Sequence, residues 1–311
     1  MLKTLLLAGA LIVAPAAAAP ALAQPAAPAP SPYAAIPDKP SCTRAELKAA
    51  TDAYVAAQKS GDVSALPLDA KARYLENMQT VDKGKGLWNT KLPVADSISF
   101  HDPVRCKTFT QIIVNQGGKP YVIGTRLYMH QGKILKVDSL VTHPGDWLFN
   151  ANAYLNYSTK EDWGDLKPGQ KTAPAEMIRG ANAYLDSFAD KFTEVPWGIP
   201  CARLEGGAYT NREHKADASC NVGIPAGVLY IVNRDYVVDE EKGVINVFCR
   251  FGNSASGMPD SHTFRYVDGK IHAVHTLSVN LGGGPASPQA NDDGSMSRPP
   301  VAAAPAAAPR S

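Results

Sequence analysis

Beyond its N-terminal segment the chain has no apolar run long enough to cross a membrane as a helix, and it carries almost no net charge, with 31 Lys and Arg against 29 Asp and Glu. The first absence excludes a helical span from the body of the chain. The second removes the basic face by which a protein holds nucleic acid or anionic lipid. No H-E-x-x-H, C-x-x-C or EF-hand spacing occurs, so no metal is expected. No cofactor is expected either: the Gly282-Gly283-Gly284 run precedes no helical pattern and does not read as a phosphate loop. Cysteine is scarce, and the five present are an odd number, so at least one is unpaired.

What is present begins with an export pattern. Met1-Leu2-Lys3 leads an apolar stretch from Leu5 to about Ala19, and Ala21-Leu22-Ala23 follows as a cleavage signal. Interrupted by Pro15 and Pro20, this reads as a signal peptide over 1–23, cleaved after Ala23, and not as an anchor. The expected location is periplasmic or extracellular, where disulfides persist. Residues 24–40 are Pro/Ala-rich and 281–311 are Gly/Pro/Ala/Ser-rich. Neither buries enough apolar surface to offset chain entropy, so both are expected to be disordered tethers.

Between the tethers two similar units follow one another. Leu47, Ala50, Tyr54 and Ala57 share one stripe of a helix over Thr43–Ser60, with Thr43 and Glu46 as a capping box and Gly61 as its stop. A Pro67-led turn then runs into Leu75-Glu76, and β-branched runs to Thr142 form a meander. The pattern restarts at Pro174, with Met177, Ala181, Tyr184, Leu185 and Phe188 on one face. A second proline, Pro196, leads into Leu204-Glu205. The hairpin Gly132-Lys133-Ile134 has its counterpart in Gly269-Lys270-Ile271. This order predicts an α+β fold and a chain that is its own pseudo-dimer: a first domain over 41–143, an inter-domain linker over 144–171 and a second domain over 172–280.

The pieces Arg73-Tyr74-Leu75-Glu76-Asn77 and Gly86-Leu87-Trp88, with Ala202-Arg203-Leu204-Glu205-Gly206-Gly207 and Arg234-Asp235-Tyr236-Val237-Val238-Asp239 in the second half, resemble the NTF2-like (SnoaL-like) superfamily. Within it the chain is similar to secreted bacterial and fungal proteins with tandem domains. The resemblance implies two cone-shaped domains, each with helices packed on a curved antiparallel sheet. It also implies a pocket for an apolar or aromatic small molecule. The chemistry it implies is that of a cofactor-free isomerase, dehydratase or lyase, or else the function of a non-catalytic binding or scaffold protein on the same fold.

Several residues carry that chemistry as candidates, each beside a plainer role. Glu76 and Glu205 occupy equivalent joints, where a carboxylate serves as a base if half-buried, or accepts backbone N–H groups. Asp138 and His275 align on the last strands and are expected to share a face with Ile134 and Leu140, or Ile271 and Leu277; they belong to a pocket or to the domain interface. Arg126 and Tyr128, two apart on a strand, present a donor and a phenol to a ligand, or face water. Trp88 and Trp197 wall the pockets or pack in the cores. His101-Asp102 is expected in a turn because Pro103 follows. Cys201 with Cys220, and Cys42 with Cys106, are the expected disulfides, leaving Cys249 as a buried thiol.

Overall fold

A computed structural model describes residues 42–224, 229–252, 257–282 and 287–297. The expected signal peptide and the Pro/Ala-rich linker lie outside them. Helix α1 (Arg44–Ser60) starts and stops where its caps require. Thr43 and Glu46 satisfy each other's backbone N–H groups, and Gly61, at φ 75°, donates its N–H to Ala57 O. Its buried stripe is Leu47, Ala50, Tyr54 and Ala57.

The stretch after Pro67 is not a turn. It is strand β1 (Leu68–Glu76), paired antiparallel with the short β2 (Gln79–Val81) and parallel with β6 (Lys133–Thr142). Strands β3 (Asp96–Asp102), β4 (Lys107–Val114) and β5 (Tyr121–His130) complete a mixed sheet in the order β2-β1-β6-β5-β4-β3. β3 runs through His101-Asp102, which is therefore strand end and not turn. Helices α2 (Ala151–Ser158) and α3 (Pro174–Asp186) follow. The second sheet repeats the first with β7 (Trp197–Glu205), β8 (Ala208–Tyr209), β9 (Ile231–Asp239), β10 (Val244–Phe251), β11 (Met258–Val267) and β12 (Lys270–Ser278), in the order β8-β7-β12-β11-β10-β9. Each expected antiparallel sheet is thus mixed, because its first strand joins beside its last.

The two sheets are similar in register as well as in strand order. Leu75 lies beside Asp138, which faces Arg126; Leu204 lies beside His275, which faces Thr263. Both final hairpins also carry a register shift, at Tyr128/Met129 and at Arg265/Tyr266. The extra residue exchanges the faces of the strand beyond it. Ile134 and Val137 therefore both pack under α1, and Asp138 does not share a face with Ile134 as strict alternation predicts. The same shift separates His275 from Ile271.

In each sheet one face meets its helix and the opposite face meets the other sheet. Phe100, Phe109 and Leu140 of the first pack with Val237, Val244 and Phe248 of the second. At the edges the contact is reciprocal. His101 N donates to Asp239 Oδ2 and Val238 N donates to Asp102 Oδ2, each at 2.9 Å. Such an exchange between matching strand ends is the signature of a twofold-like interface. Residues 144–171 are more than a linker, since Tyr154 of α2 packs with residues of both sheets. Part of the expected tail is also held: Tyr209 N donates to Gly294 O, Leu148 N to Pro288 O, and Ala290 bridges Met296. Backbone hydrogen bonding, available to any composition, fixes residues 287–297 there.

The expected disulfides are both present, Cys42–Cys106 and Cys201–Cys220, and Cys249 is a buried free thiol.

Burial at the interface sets one pH dependence. His101 is 6% exposed; its Nε2 meets Thr51 Oγ1 at 3.1 Å and its Nδ1 has no partner. Burial pushes its pKa down to about 4, against the pull of Asp239. Below its unfolded value the unfolded chain binds the extra proton first, so stability is lost as pH falls from about 6.5 toward 4. The loss is expected to be on the order of 3 kcal/mol. Urea unfolding at pH 7 and pH 4.5 checks it, with His101→Gln expected to flatten the difference.

Candidate functional site

The two helix-side faces differ in chemistry although their strands match. In the first domain the row Ile112–Ile123–Val141 crosses β4, β5 and β6. The matching row across β10, β11 and β12 is Cys249–Asp260–Ser278. One row along, Thr110–Thr125–Ser139 corresponds to Val247–His262–Thr276. The first domain closes its interior with Tyr74, Trp88 and Tyr54, whose hydroxyl meets Thr125 Oγ1 at 2.7 Å. The second holds a knot of ionisable groups there.

Asp260 and His262 are two apart on β11, so both side chains project from one face. His262 Nδ1 lies 3.0 Å from Asp260 Oδ2. Ser278 Oγ donates to the other oxygen, Asp260 Oδ1, at 2.7 Å. Cys249 Sγ lies 3.7 Å from Asp260 Oδ2 and 3.9 Å from His262 Nδ1. Burial, with the nearby Asp260 carboxylate, pushes the Cys249 thiol well above its usual range, against the pull of Arg234 and Arg126, so the sulfur is held as the neutral thiol. Tyr184 of α3 stands edge-on to the His262 ring at 5.4 Å between centroids. Burial raises the Tyr184 phenol as well, so it is a hydrogen donor and not a phenolate.

His262 lines a cavity of about 110 Å³ together with Tyr184, Phe188, Arg203, Glu205 and Phe251. Arg203 Nε is 3.2 Å from Glu205 Oε1, close enough to pair as charges but outside hydrogen-bond geometry, and its Nη2 donates to Val222 O. Gly223 borders both this cavity and a larger one of about 640 Å³, walled by Lys191, Phe192, Trp197 and Asn221. A charged pair, an imidazole with its carboxylate, and aromatic walls make a setting that orients a small molecule and moves a proton on it.

Of the residues singled out from sequence, Glu205 lies in the inner cavity and Trp197 in the outer one. Glu76 is not among the residues that line these two cavities. Its Oε2 accepts from Tyr74 OH at 2.6 Å and Leu87 N at 2.8 Å, the turn-stapling alternative. Trp88 is core, stacked on Tyr74 at 4.5 Å. His275 is at the domain interface, with Nε2 2.5 Å from Glu161 and Nδ1 3.4 Å from Gln111. Asp138 pairs with Lys136 at 3.2 Å, its Oδ1 buried without a partner.

Arg126, fully buried, and Tyr128, half-buried, both bind Asp235 of the second domain. Sheet-on-sheet packing buries that face. Cys249 was expected only as a buried thiol, and Asp260 and His262 were not singled out. The signal available for them was the Asp260-Ser261-His262 spacing on a strand.

Comparisons with known proteins add little to this geometry. No curated protein matches the chain. Four chains of solved structures match, and two of them illustrate the level of similarity. One is AclR, a candidate hydroxylase from Streptomyces galilaeus, at 15% identity, covering 33% of this chain and 82% of that one with a TM-score of 0.26. The other is an NTF2-like protein of unknown function from Burkholderia xenovorans LB400, at 12% identity, covering 36% and 88% with a TM-score of 0.25. At these scores neither bears on what this chain does. Residues 170–278, from just before α3 to the last residue of β12, match the family model of a domain of unknown function, DUF8021.

Proposed function

We propose that the second domain of an exported chain takes an apolar or aromatic small molecule into the cavity beside His262 and moves a proton on it, as an isomerase, dehydratase or lyase does. The observation that carries this reading is the His262–Asp260 contact at 3.0 Å on the wall of a cavity, at positions where the matching first-domain residues are Thr125 and Ile123. Asp260 fixes the ring so that Nδ1 is held, leaving Nε2 for a substrate. Tyr184 is the nearby donor to a carbonyl or hydroxyl oxygen, and the Arg203–Glu205 pair orients a polar end. Such chemistry needs no organic cofactor. The two disulfides suit export.

A non-catalytic binder of the same cavity is the second reading. It is favoured by the pairing of Arg203 with Glu205, which leaves less free charge for a substrate.

A thermal-shift screen of the full chain against aromatic and sugar-derived compounds, followed by solvent-deuterium exchange on each hit, separates the two. Wild-type protein is expected to exchange deuterium into a bound compound. His262→Gln is expected to slow that roughly 10²–10⁴-fold, while Glu76→Gln, far from the cavity, leaves the rate unchanged. Hits that bind without exchange or turnover in the wild type would favour the binder.

A further inference from the structure

We propose that Cys249, Asp260 and His262 form a site for a single divalent transition-metal ion, with zinc the best fit to their donors. Sγ, Oδ2 and Nδ1 are mutually separated by 3.7, 3.9 and 3.0 Å and all lie within 4.8 Å of one another. A tetrahedral zinc with one sulfur at about 2.3 Å and nitrogen and oxygen at about 2.0 Å requires donor separations of about 3.5 Å to sulfur and about 3.3 Å between the others. The observed triangle needs shifts of only a few tenths of an ångström.

The arrangement also rules against a nucleophilic relay. A thiol–imidazole–carboxylate relay uses both ring nitrogens, one toward the thiol and one toward the carboxylate. Here thiol and carboxylate both approach Nδ1. Three electron-pair donors aimed at one point suit a cation.

Packing does not demand these residues. In the first domain Cys249 and Asp260 are matched by the apolar Ile112 and Ile123, and His262 by the small Thr125, on the same strands in the same register. Burying a carboxylate, an imidazole and a thiol together is costly unless something joins them. Ser278 supplies the outer contact typical of a metal-bound carboxylate: its hydroxyl holds Oδ1 and leaves Oδ2 directed at the sulfur and the ring. Thiolate and carboxylate together would balance the charge of a divalent ion. Three protein donors leave a fourth position, and His262 places it next to the cavity. The inference rests on the pocket of the preceding reading but not on its proton chemistry. With the ion on Nδ1, the ring keeps Nε2 for the cavity side.

Cobalt(II), zinc's spectroscopic substitute, tests this on the full, chelator-treated chain. Four of the five cysteines are in disulfides, so any thiolate-to-cobalt charge-transfer absorption comes from Cys249. One equivalent of cobalt is expected to give that absorption with tetrahedral visible bands, and one equivalent of zinc is expected to abolish both. Cys249→Ser is expected to lose the charge-transfer band, and Asp260→Asn to weaken binding at least about tenfold.

A wild-type chain that shows no thiolate band at saturating cobalt overturns the site, whether or not the variants fold. A band unchanged in both Asp260→Asn and His262→Gln overturns it too. Deuterium exchange on a bound compound in the chelator-treated chain would keep the proton-transfer reading even then, so the two failures are distinguishable.

Discussion

Arg126→Ala is expected to destabilise the folded chain by roughly 3 kcal/mol, the scale for losing a large buried side chain and leaving a buried acceptor unpaired. Arg126 is fully buried between the sheets. Its Nε donates to Asn246 Oδ1 at 2.9 Å, Nη1 to Asp235 Oδ2 at 3.0 Å, and Nη2 to the backbone oxygens of Asp235 and Asn246 at 2.9 and 2.8 Å. The guanidinium also lies over the Phe248 ring, 4.1 Å from its centroid. Truncation removes the fork, leaves Asn246 Oδ1 without its donor inside the interface, and opens a void against Phe248.

Arg126→Lys is not expected to restore stability, because an ammonium cannot fill the fork. Burial alone would raise the Asp235 carboxyl, but Arg126 and Lys107 hold it well below the usual carboxylate range. Its share of the stability is therefore present above the ordinary carboxylate pKa and lost as pH falls below it. Asp235 is 40% exposed on its side chain, so solvent screens that share and most of the loss on truncation comes from the Asn246 and Phe248 contacts. Guanidinium unfolding of wild type, Arg126→Ala and Arg126→Lys measures this. A change below about 1 kcal/mol in the alanine variant would show that the interface does not depend on the fork.

Removing the Cys42–Cys106 bridge is expected to cost about 4 kcal/mol, as chain entropy gives for a loop of its length. The bridge spans 64 residues, from the residue before the α1 cap to the β3–β4 turn, and encloses β1, β2 and β3. The Cys201–Cys220 bridge spans only 19 residues, and its removal is expected to cost about 3 kcal/mol. Paired Cys→Ala substitutions at each bridge, compared by urea unfolding under non-reducing conditions, give the ranking. Equal losses, or a larger one for the shorter loop, would show that native contacts near the bridges outweigh loop entropy.

Much of the architecture was legible because it is local. Thr43, Glu46 and Gly61 fix the ends of α1 through hydrogen bonds made within a few residues. The Gly132 and Gly269 turns, at φ 73° and 75°, set the final hairpins and reveal the repeat. β1 was misread as a turn because Pro67 leads it, although Leu68-Asp69-Ala70-Lys71-Ala72-Arg73 alternates apolar with polar. Its strand identity comes from β6, more than fifty residues away, and no short window contains that partner.

The candidate site was less legible, for a related reason. Arg126, Tyr128, Asp138 and His275 are polar residues on well-patterned strands, and polarity on a strand signals a pocket, a wet face or an interface equally. The opposed sheets make them interface. Asp260 and His262 sit in the run Met258–Val267, whose charge and polarity alternate with no apolar rhythm to draw attention.

The sequence by itself determined the ends of α1, the hairpin turns and the similar order of elements in the two halves, since each depends on neighbours along the chain or on matching patterns, whereas the tertiary structure decided which cysteines pair across 64 and 19 residues. The tertiary structure alone decided which face of each sheet is buried against the other and which looks under its helix. It also decided that the second helix-side face, and not the first, gathers Cys249, Asp260 and His262. Those three come from the adjacent strands β10 and β11, and only the register of that pair brings their donor atoms to one point.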